Sequence, residues 1–201
     1  MKFSEIIVDA DMCIKLGGFQ STSVLEIMIP QLTDKAYIHK YVYEDEILTP
    51  KSARIQIENL IRKGIVEIVQ EEQLTPLERN IFDATVQVLE NVMIGVKKEG
   101  KNWGELLSLS IAKTKEIPIF MSDERDLQEL IDIHLNTGSS SDIKVFRLKN
   151  LIEWIKVNPE CNVKRSFAKA LWSTVNVKNK SDVQKRKKIF DKELWTLHMN
   201  E

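Results

Sequence analysis

The sequence predicts an α/β protein with a parallel sheet in three layers, α/β/α. Short apolar runs alternate with helical patterns over about 150 residues, which is typical of repeated βαβ units. The first run, Ile6–Val8, is apolar at three consecutive positions, as expected for a strand buried on both faces of a parallel sheet. These two observations together favour a doubly wound sheet over an antiparallel one.

The other elements follow from local patterns in chain order. Pro30 bends or splits the first predicted helix, Thr49-Pro50 begins the second, and Lys63-Gly64 ends it. Thr75 and Glu78 have the spacing of a capping box at the start of a third helix. Further strands are predicted over residues 65–69, 117–121 and 143–146. Helices are predicted over residues 24–48, 50–63, 76–95, from 102 onward, 122–136 and 148–157, with Ser122 as a cap.

Composition and charge limit the classes of protein. The 201 residues are 43% hydrophobic and 29% charged, which suits a globular domain. The N-terminus does not resemble a signal peptide, and no apolar run is long enough for a membrane span. Two cysteines outside any CxxC motif favour a reducing, cytoplasmic location. We therefore expect a domain over residues 1–157, and a basic, helical or partly disordered extension over residues 158–201.

Carboxylates follow two of the predicted strands. Asp9 and Asp11 come after the first strand, and Asp123, Glu124 and Asp126 come after the third. The carboxyl ends of parallel strands lie at the same edge of a sheet, where ligands bind in such folds. Converging carboxylates repel one another unless a cation lies between them, and oxygen ligands favour Mg²⁺ or Mn²⁺. The sequence thus predicts a divalent-cation site at this edge.

Each acid also has a purely structural interpretation. Glu105 lies three residues after Asn102 and has the spacing of a capping-box partner. Asp123 and Glu124 fall in the first turn of a predicted helix, where the helix dipole favours anions. A metal site explains the acids as a set, whereas capping explains them one by one.

Three segments in this order resemble the acidic motifs of PIN domains: IIVDADMCIKL, YVYEDEIL and WGELLSLSIAKTKEIPIFMSDERDL. In the resemblance, Asp9 matches the first acid, Glu105 the third and Asp123 the fourth, with Asp126 nearby. The second acid is either Asp45 or Glu46, because both lie about one turn after a valine. One departure is Asp11, at a position where family members often have Ser, Thr or Asn.

The resemblance implies a PIN-like fold and a metal-dependent endoribonuclease that leaves a 5′-phosphate. It also implies an RNA substrate, Mg²⁺ or Mn²⁺ as cofactor, an antitoxin protein as partner if the chain is a toxin, and a homodimer. The implied catalytic residues are Asp9, Glu105 and Asp123. The implied metal ligands are Asp9, Asp45, Glu46, Glu105, Asp123 and Asp126. Candidate phosphate-binding residues are Ser122, Arg125, Lys164 and Arg165, with Lys15 also considered.

Two other functions are compatible with the sequence. IIVDAD also fits a haloacid-dehalogenase-like phosphatase with Asp9 as nucleophile and Asp11 as acid/base, although Cys13 replaces the usual Thr or Val. The second alternative is a PIN-like module that binds nucleic acid or a protein partner without catalysis. The basic run at 184–195 is compatible with RNA binding, with docking on the acidic part of the chain, or with pairing to another chain.

Overall fold

The computed structural model describes residues 2–19, 22–94, 102–161, 163–174 and 180–195. Residue contacts divide the chain into two compact units, Lys2–Phe146 and Arg147–Glu201. Among the described residues, helices are either too short or too polar to cross a bilayer.

The first unit contains a five-stranded parallel sheet. Its strands are β1 (Ile6–Val8), β2 (Ala36–His39), β3 (Val66–Val69), β4 (Ile119–Met121) and β5 (Lys144–Val145). Their order across the sheet is β3-β2-β1-β4-β5, and every pairing between neighbours is parallel. β1 is therefore central, which explains its three consecutive buried apolar residues. The predicted parallel α/β class is confirmed.

The helices of this unit cover the sheet. α4 (Pro76–Met93), α5 (Trp103–Thr114) and α6 (Leu127–His134) share a core cluster with Ile7 and Phe120. α1 (Ala10–Gly17), α2 (Val24–Leu32) and α3 (Lys51–Arg62) pack against one another. Ile6 and Val8 are also buried and point to the face opposite Ile7, because side chains alternate along a strand. This arrangement is consistent with three α/β/α layers.

The prediction of one helix over residues 24–48 is wrong. α2 ends at Leu32 and β2 begins at Ala36, so that segment holds a helix and a strand, and the described sheet has five strands rather than four. Ala36, Tyr37 and Ile38 are all buried. A short apolar run of this kind fits a buried strand and a helix segment equally well by periodicity, and pairing with β1 and β3 on both sides decides it.

One predicted helix cap is wrong, and the alternative interpretation of Glu105 as a capping-box partner does not hold. The helix expected from residue 102 does begin there, with Asn102 as its N-cap. α6 begins at Leu127 with Asp126 at its N-cap, so Ser122 caps no helix, and Asp123 and Glu124 precede the first turn. Asn102 has φ of 64° and no side-chain cap hydrogen bond, so it does not form the expected capping box with Glu105. The capping box of Thr75 and Glu78 is confirmed at the start of α4.

The second unit is helical in its described residues. It contains α7 (Leu148–Val157), α8 (Arg165–Thr174), α9 (Lys180–Ile189) and a π-helical turn at Phe190–Leu194. The Arg186 side chain donates to the Trp172 carbonyl at 2.7 Å and lies over the Trp172 ring. Residues 175–179 of the predicted extension lie outside the described part.

Candidate functional site

The acids after β1 and β4 lie at one edge of the sheet. The backbone N–H of Asp9 donates to the Met121 carbonyl at 3.0 Å, so the ends of the two strands are in contact. Asp9 is only 6% exposed. Burial raises the pKa of the Asp9 carboxyl well above its ordinary value, and the charges of Asp11, Glu105 and Glu46 raise it further. A hydrogen bond from the Ala10 backbone opposes these effects without reversing them.

Glu46 reaches the site from the end of a π-helical turn, Val42–Glu46, that follows β2. Its Oε1 accepts a hydrogen bond from the Gly104 backbone at 3.3 Å. A Cβ atom at 104 would collide with the Glu46 carboxylate in its present position, and glycine leaves that space free. Asp45 is exposed to solvent instead. Of the two alternatives for the second acid, the structure places Glu46 with Asp9, and places Asp45 at the surface.

Glu105 lies in the first turn of α5. The pKa of its carboxyl is raised from 4.5 to about 7, first by burial and then by the charges of Glu124, Asp11 and Glu46. A hydrogen bond from the Ser122 side chain acts in the opposite direction. The Oε1 atom of Glu105 is buried and has no hydrogen-bond partner among the described residues. Glu105 is thus a buried anion that its surroundings only partly compensate.

Asp11 and Asp123 share a lysine. The Lys15 Nζ lies 2.8 Å from Asp11 Oδ2 and 3.0 Å from Asp123 Oδ2. Asp11 Oδ2 also accepts the Asp123 backbone N–H at 3.1 Å. The other oxygen, Asp11 Oδ1, is buried without a hydrogen-bond partner in the described part of the chain. Asp11 and Asp123 are therefore held together by Lys15.

The remaining predicted site residues fall into two groups. Ser122, Arg125 and Asp126 follow β4, and Lys164 and Arg165 belong to the second unit. Ser122 is fully buried, and its Oγ accepts the Glu124 backbone N–H at 3.4 Å. Arg125 and Asp126 are exposed. Lys164 and Arg165 are exposed residues of the second unit, where Arg165 forms an ion pair with Asp191.

An open groove lies beside the acids. Its volume is about 260 Å³, and its lining combines carboxylates with apolar side chains. The carboxylates are Glu105, Glu124 and Asp126, and the apolar residues are Val92, Met93, Leu127 and Leu130. One side of the acidic edge is therefore accessible to a ligand that has both a polar and an apolar part.

Three residues of this arrangement are not among the implied catalytic residues and metal ligands. Asp11 and Glu124 belong only to the predicted cluster of acids at the sheet edge. Lys15 is predicted only as a candidate phosphate contact. Its spacing of four from Asp11 indicates a helical ion pair. No local pattern could reveal its contact with Asp123, which is 108 residues away in the sequence.

The donor chemistry fits Mg²⁺ or Mn²⁺, because the converging groups are carboxylates and two of their buried oxygens lack partners. The arrangement itself is less complete. Among the described residues, no group of three or more His, Cys, Asp or Glu side chains is placed so that it could hold a metal ion. An ion would therefore have to draw the carboxylates of Asp9, Glu46 and Glu105 closer together.

The surroundings of Cys13 disfavour a thiol nucleophile. Cys13 is close to the acids and buried, and burial together with the charges of Asp9 and Asp11 raises the pKa of its thiol well above the ordinary value. The reactive thiolate is therefore disfavoured.

Comparisons of this chain with protein-family models, with curated proteins and with solved structures find no match.

Proposed function

We propose that this chain is a metal-dependent ribonuclease with a PIN-like fold. The observation that supports the proposal is the convergence of Asp9, Glu46 and Glu105 from three separate elements, with the pKa of each carboxyl raised. Burial is the largest cause for all three, and mutual repulsion adds to it for Asp9 and Glu105. Such an arrangement reduces the stability of the fold. A divalent cation would offset that cost.

Three groups of the chain hold these carboxylates in position. The Gly104 backbone N–H orients Glu46, and the Ser122 side chain hydrogen bonds to Glu105. Asp9 is fixed by its place between β1 and α1. Asp9, Glu46 and Glu105 would hold Mg²⁺ or Mn²⁺. The ion would supply Lewis-acid chemistry, activating the attacking water and stabilising charge on the phosphate.

Metal binding and proton release are coupled in this proposal. With a pKa of about 7, Glu105 is roughly half protonated at neutral pH in the absence of a cation. A cation binds only the ionised form, so binding displaces the proton, and affinity rises with pH. The apolar part of the 260 Å³ groove provides a surface beside the acids for the base or sugar of an RNA chain.

A second candidate function is a binding module without turnover. It is favoured by the absence, among the described residues, of a group already arranged for a metal ion, and by the ion pairs that Asp11 and Asp123 already form with Lys15. An antitoxin partner, a homodimer and a cytoplasmic location stay predictions from the sequence.

Calorimetric titration with Mn²⁺ at pH 8 tests the proposal. The wild type should bind the ion, whereas Asp9→Asn and Glu105→Gln should weaken binding at least tenfold. Asp45→Asn, in an exposed residue adjacent to Glu46, is the matched control and should bind as the wild type does.

RNA cleavage is measured next with the same proteins. Metal-dependent cleavage of a phosphodiester that Asp9→Asn abolishes supports a nuclease. RNA binding without metal binding or turnover supports the module. Hydrolysis of a phosphate monoester, with the diester untouched, supports a phosphatase.

A further inference from the structure

Lys15 is an unusually sheltered cation for an ion pair of this chain. Its side chain is 15% exposed, and those of its partners Asp11 and Asp123 are 25% and 14% exposed. By comparison, Lys63, which pairs with Glu26, is 56% exposed. Burial alone lowers the pKa of the Lys15 ammonium, but the hydrogen bonds and charges of Asp11 and Asp123 outweigh it and the pKa is raised. Lys15 is therefore a fixed positive charge among the acids.

The contacts of Lys15 divide the carboxylates into two sets. Asp11 and Asp123 bind the ammonium through their Oδ2 atoms. The second set is Asp9, Glu46 and Glu105. Besides burial, the charges of Asp11, Glu105 and Glu46 raise the pKa of Asp9. Besides burial, the charges of Glu124, Asp11 and Glu46 raise the pKa of Glu105. The first set has one positive charge from within the chain against two negative ones, and the second has no ion pair with Lys15 in the described structure.

The ammonium group and a metal ion would compete for the first set. A Mg²⁺ ion bound by both carboxylates would lie roughly 2.0–2.1 Å from their oxygens. The Lys15 Nζ already lies 2.8 Å and 3.0 Å from the two Oδ2 atoms. An ion that used the same two oxygens would be repelled by the ammonium group at short range, so binding of one cation disfavours the other.

We propose that Lys15 takes the place of a second divalent cation, holding Asp11 and Asp123 together and leaving Asp9, Glu46 and Glu105 to bind a single ion. This rests on the proposed function for its metal-binding part. Lys15 is then a positioning residue. It fixes Asp123 at the end of β4 and limits the site to one metal ion per chain.

A double-mutant cycle in chelator tests the ammonium's role without any metal. Lys15→Met leaves two carboxylates facing each other, so it should raise the equilibrium constant for unfolding at pH 8 at least tenfold. Adding Asp123→Asn to Lys15→Met should recover most of that loss, because the repulsion is removed. Additive effects of the two substitutions would overturn the proposal, whatever the protein does with metals.

The number of ions bound is then measured by Mn²⁺ titration, with free ion followed by electron paramagnetic resonance. The wild type and Lys15→Arg, which keeps a cation, should bind one Mn²⁺ per chain. Lys15→Met should bind a second ion, or bind the first at least tenfold more tightly. Lys63→Met, in an exposed ion pair remote in sequence from the acids, should match the wild type.

The outcomes separate the two proposals. If the wild type binds no Mn²⁺ and Lys15→Met binds one, the proposed metal-dependent function fails while the role of Lys15 is supported. If the wild type binds two ions, or if Lys15→Met is folded and binds as the wild type does, the proposed role of Lys15 is wrong.

Discussion

The metal-free protein should lose stability between pH 5 and pH 8. Replacing Glu105 with Gln should remove much of that loss. The pKa of the Glu105 carboxyl is about 7 in the folded protein, against an ordinary value of 4.5. Between pH 4.5 and about pH 7 the folded chain holds a proton that the unfolded chain has released. The free energy of unfolding therefore falls as pH rises through this range. At 1.36 kcal/mol per pKa unit, the loss from this one group is roughly 3 kcal/mol above pH 7.

Urea unfolding in chelator at pH 5, 6, 7 and 8 measures this effect. The wild type should lose at least about 3 kcal/mol over the range, since Asp9 has a pKa shifted in the same direction. Glu105→Gln should lose about 2.5 kcal/mol less over this range, and so be the more stable protein at pH 8. Glu129→Gln, at an exposed position of α6, serves as control and should follow the wild type. An equal pH dependence in wild type and Glu105→Gln would refute the assignment of a buried, repelled carboxylate at 105.

Three further predictions concern ligand binding. Gly104→Ala should displace the Glu46 carboxylate, the flexible group that a new Cβ would meet, so calorimetry should show weaker Mn²⁺ binding with a change in unfolding free energy of less than about 1 kcal/mol. Glu46→Gln should weaken Mn²⁺ binding at least tenfold in the same assay, while the neighbouring Asp45→Asn should not. Substituting three exposed lysines of the second unit by Gln should weaken RNA binding and reduce the slope of log affinity against log salt by about 2, at roughly 0.7 per phosphate contact with single-stranded RNA. These lysines are Lys185, Lys188 and Lys192.

The parallel sheet could be predicted from the sequence because its central strand carries the clearest pattern. Ile6–Val8 is apolar at every position and directly precedes an acid, a combination typical of a strand covered on both faces that ends at a site. β2 could not be predicted in the same way. Its four residues follow a helix containing Pro30 without a strong turn pattern. Its pairing with β1 and β3 depends on residues distant in the sequence.

Some residues of the candidate site could be predicted from the local sequence. Others depend on contacts between residues that are distant in the sequence. Asp9 and Glu105 were expected at the sheet edge, and the structure brings them together. The choice between Asp45 and Glu46 had no local solution, because the two residues are adjacent on one helical turn. It depends on Gly104, whose backbone N–H meets the Glu46 carboxylate across 58 positions of sequence. The contact of Lys15 with Asp123 spans an even greater separation in sequence, 108 positions.

Capping does not account for the acids at the two ends of the segment 104–126. Glu105 lies three residues after Asn102, which forms no side-chain cap hydrogen bond, and Asp123 lies before α6 begins. The stabilisation that a cap or helix dipole gives an anion, about 1 kcal/mol, is smaller than the roughly 3 kcal/mol by which burial and repulsion disfavour ionised Glu105. Asp123 is compensated by Lys15 from within the chain, whereas Glu105 keeps a buried oxygen without a partner in the described residues. The two carboxylates therefore differ in what they still require, and a cation supplied from outside would satisfy the one that the chain's own lysine does not reach.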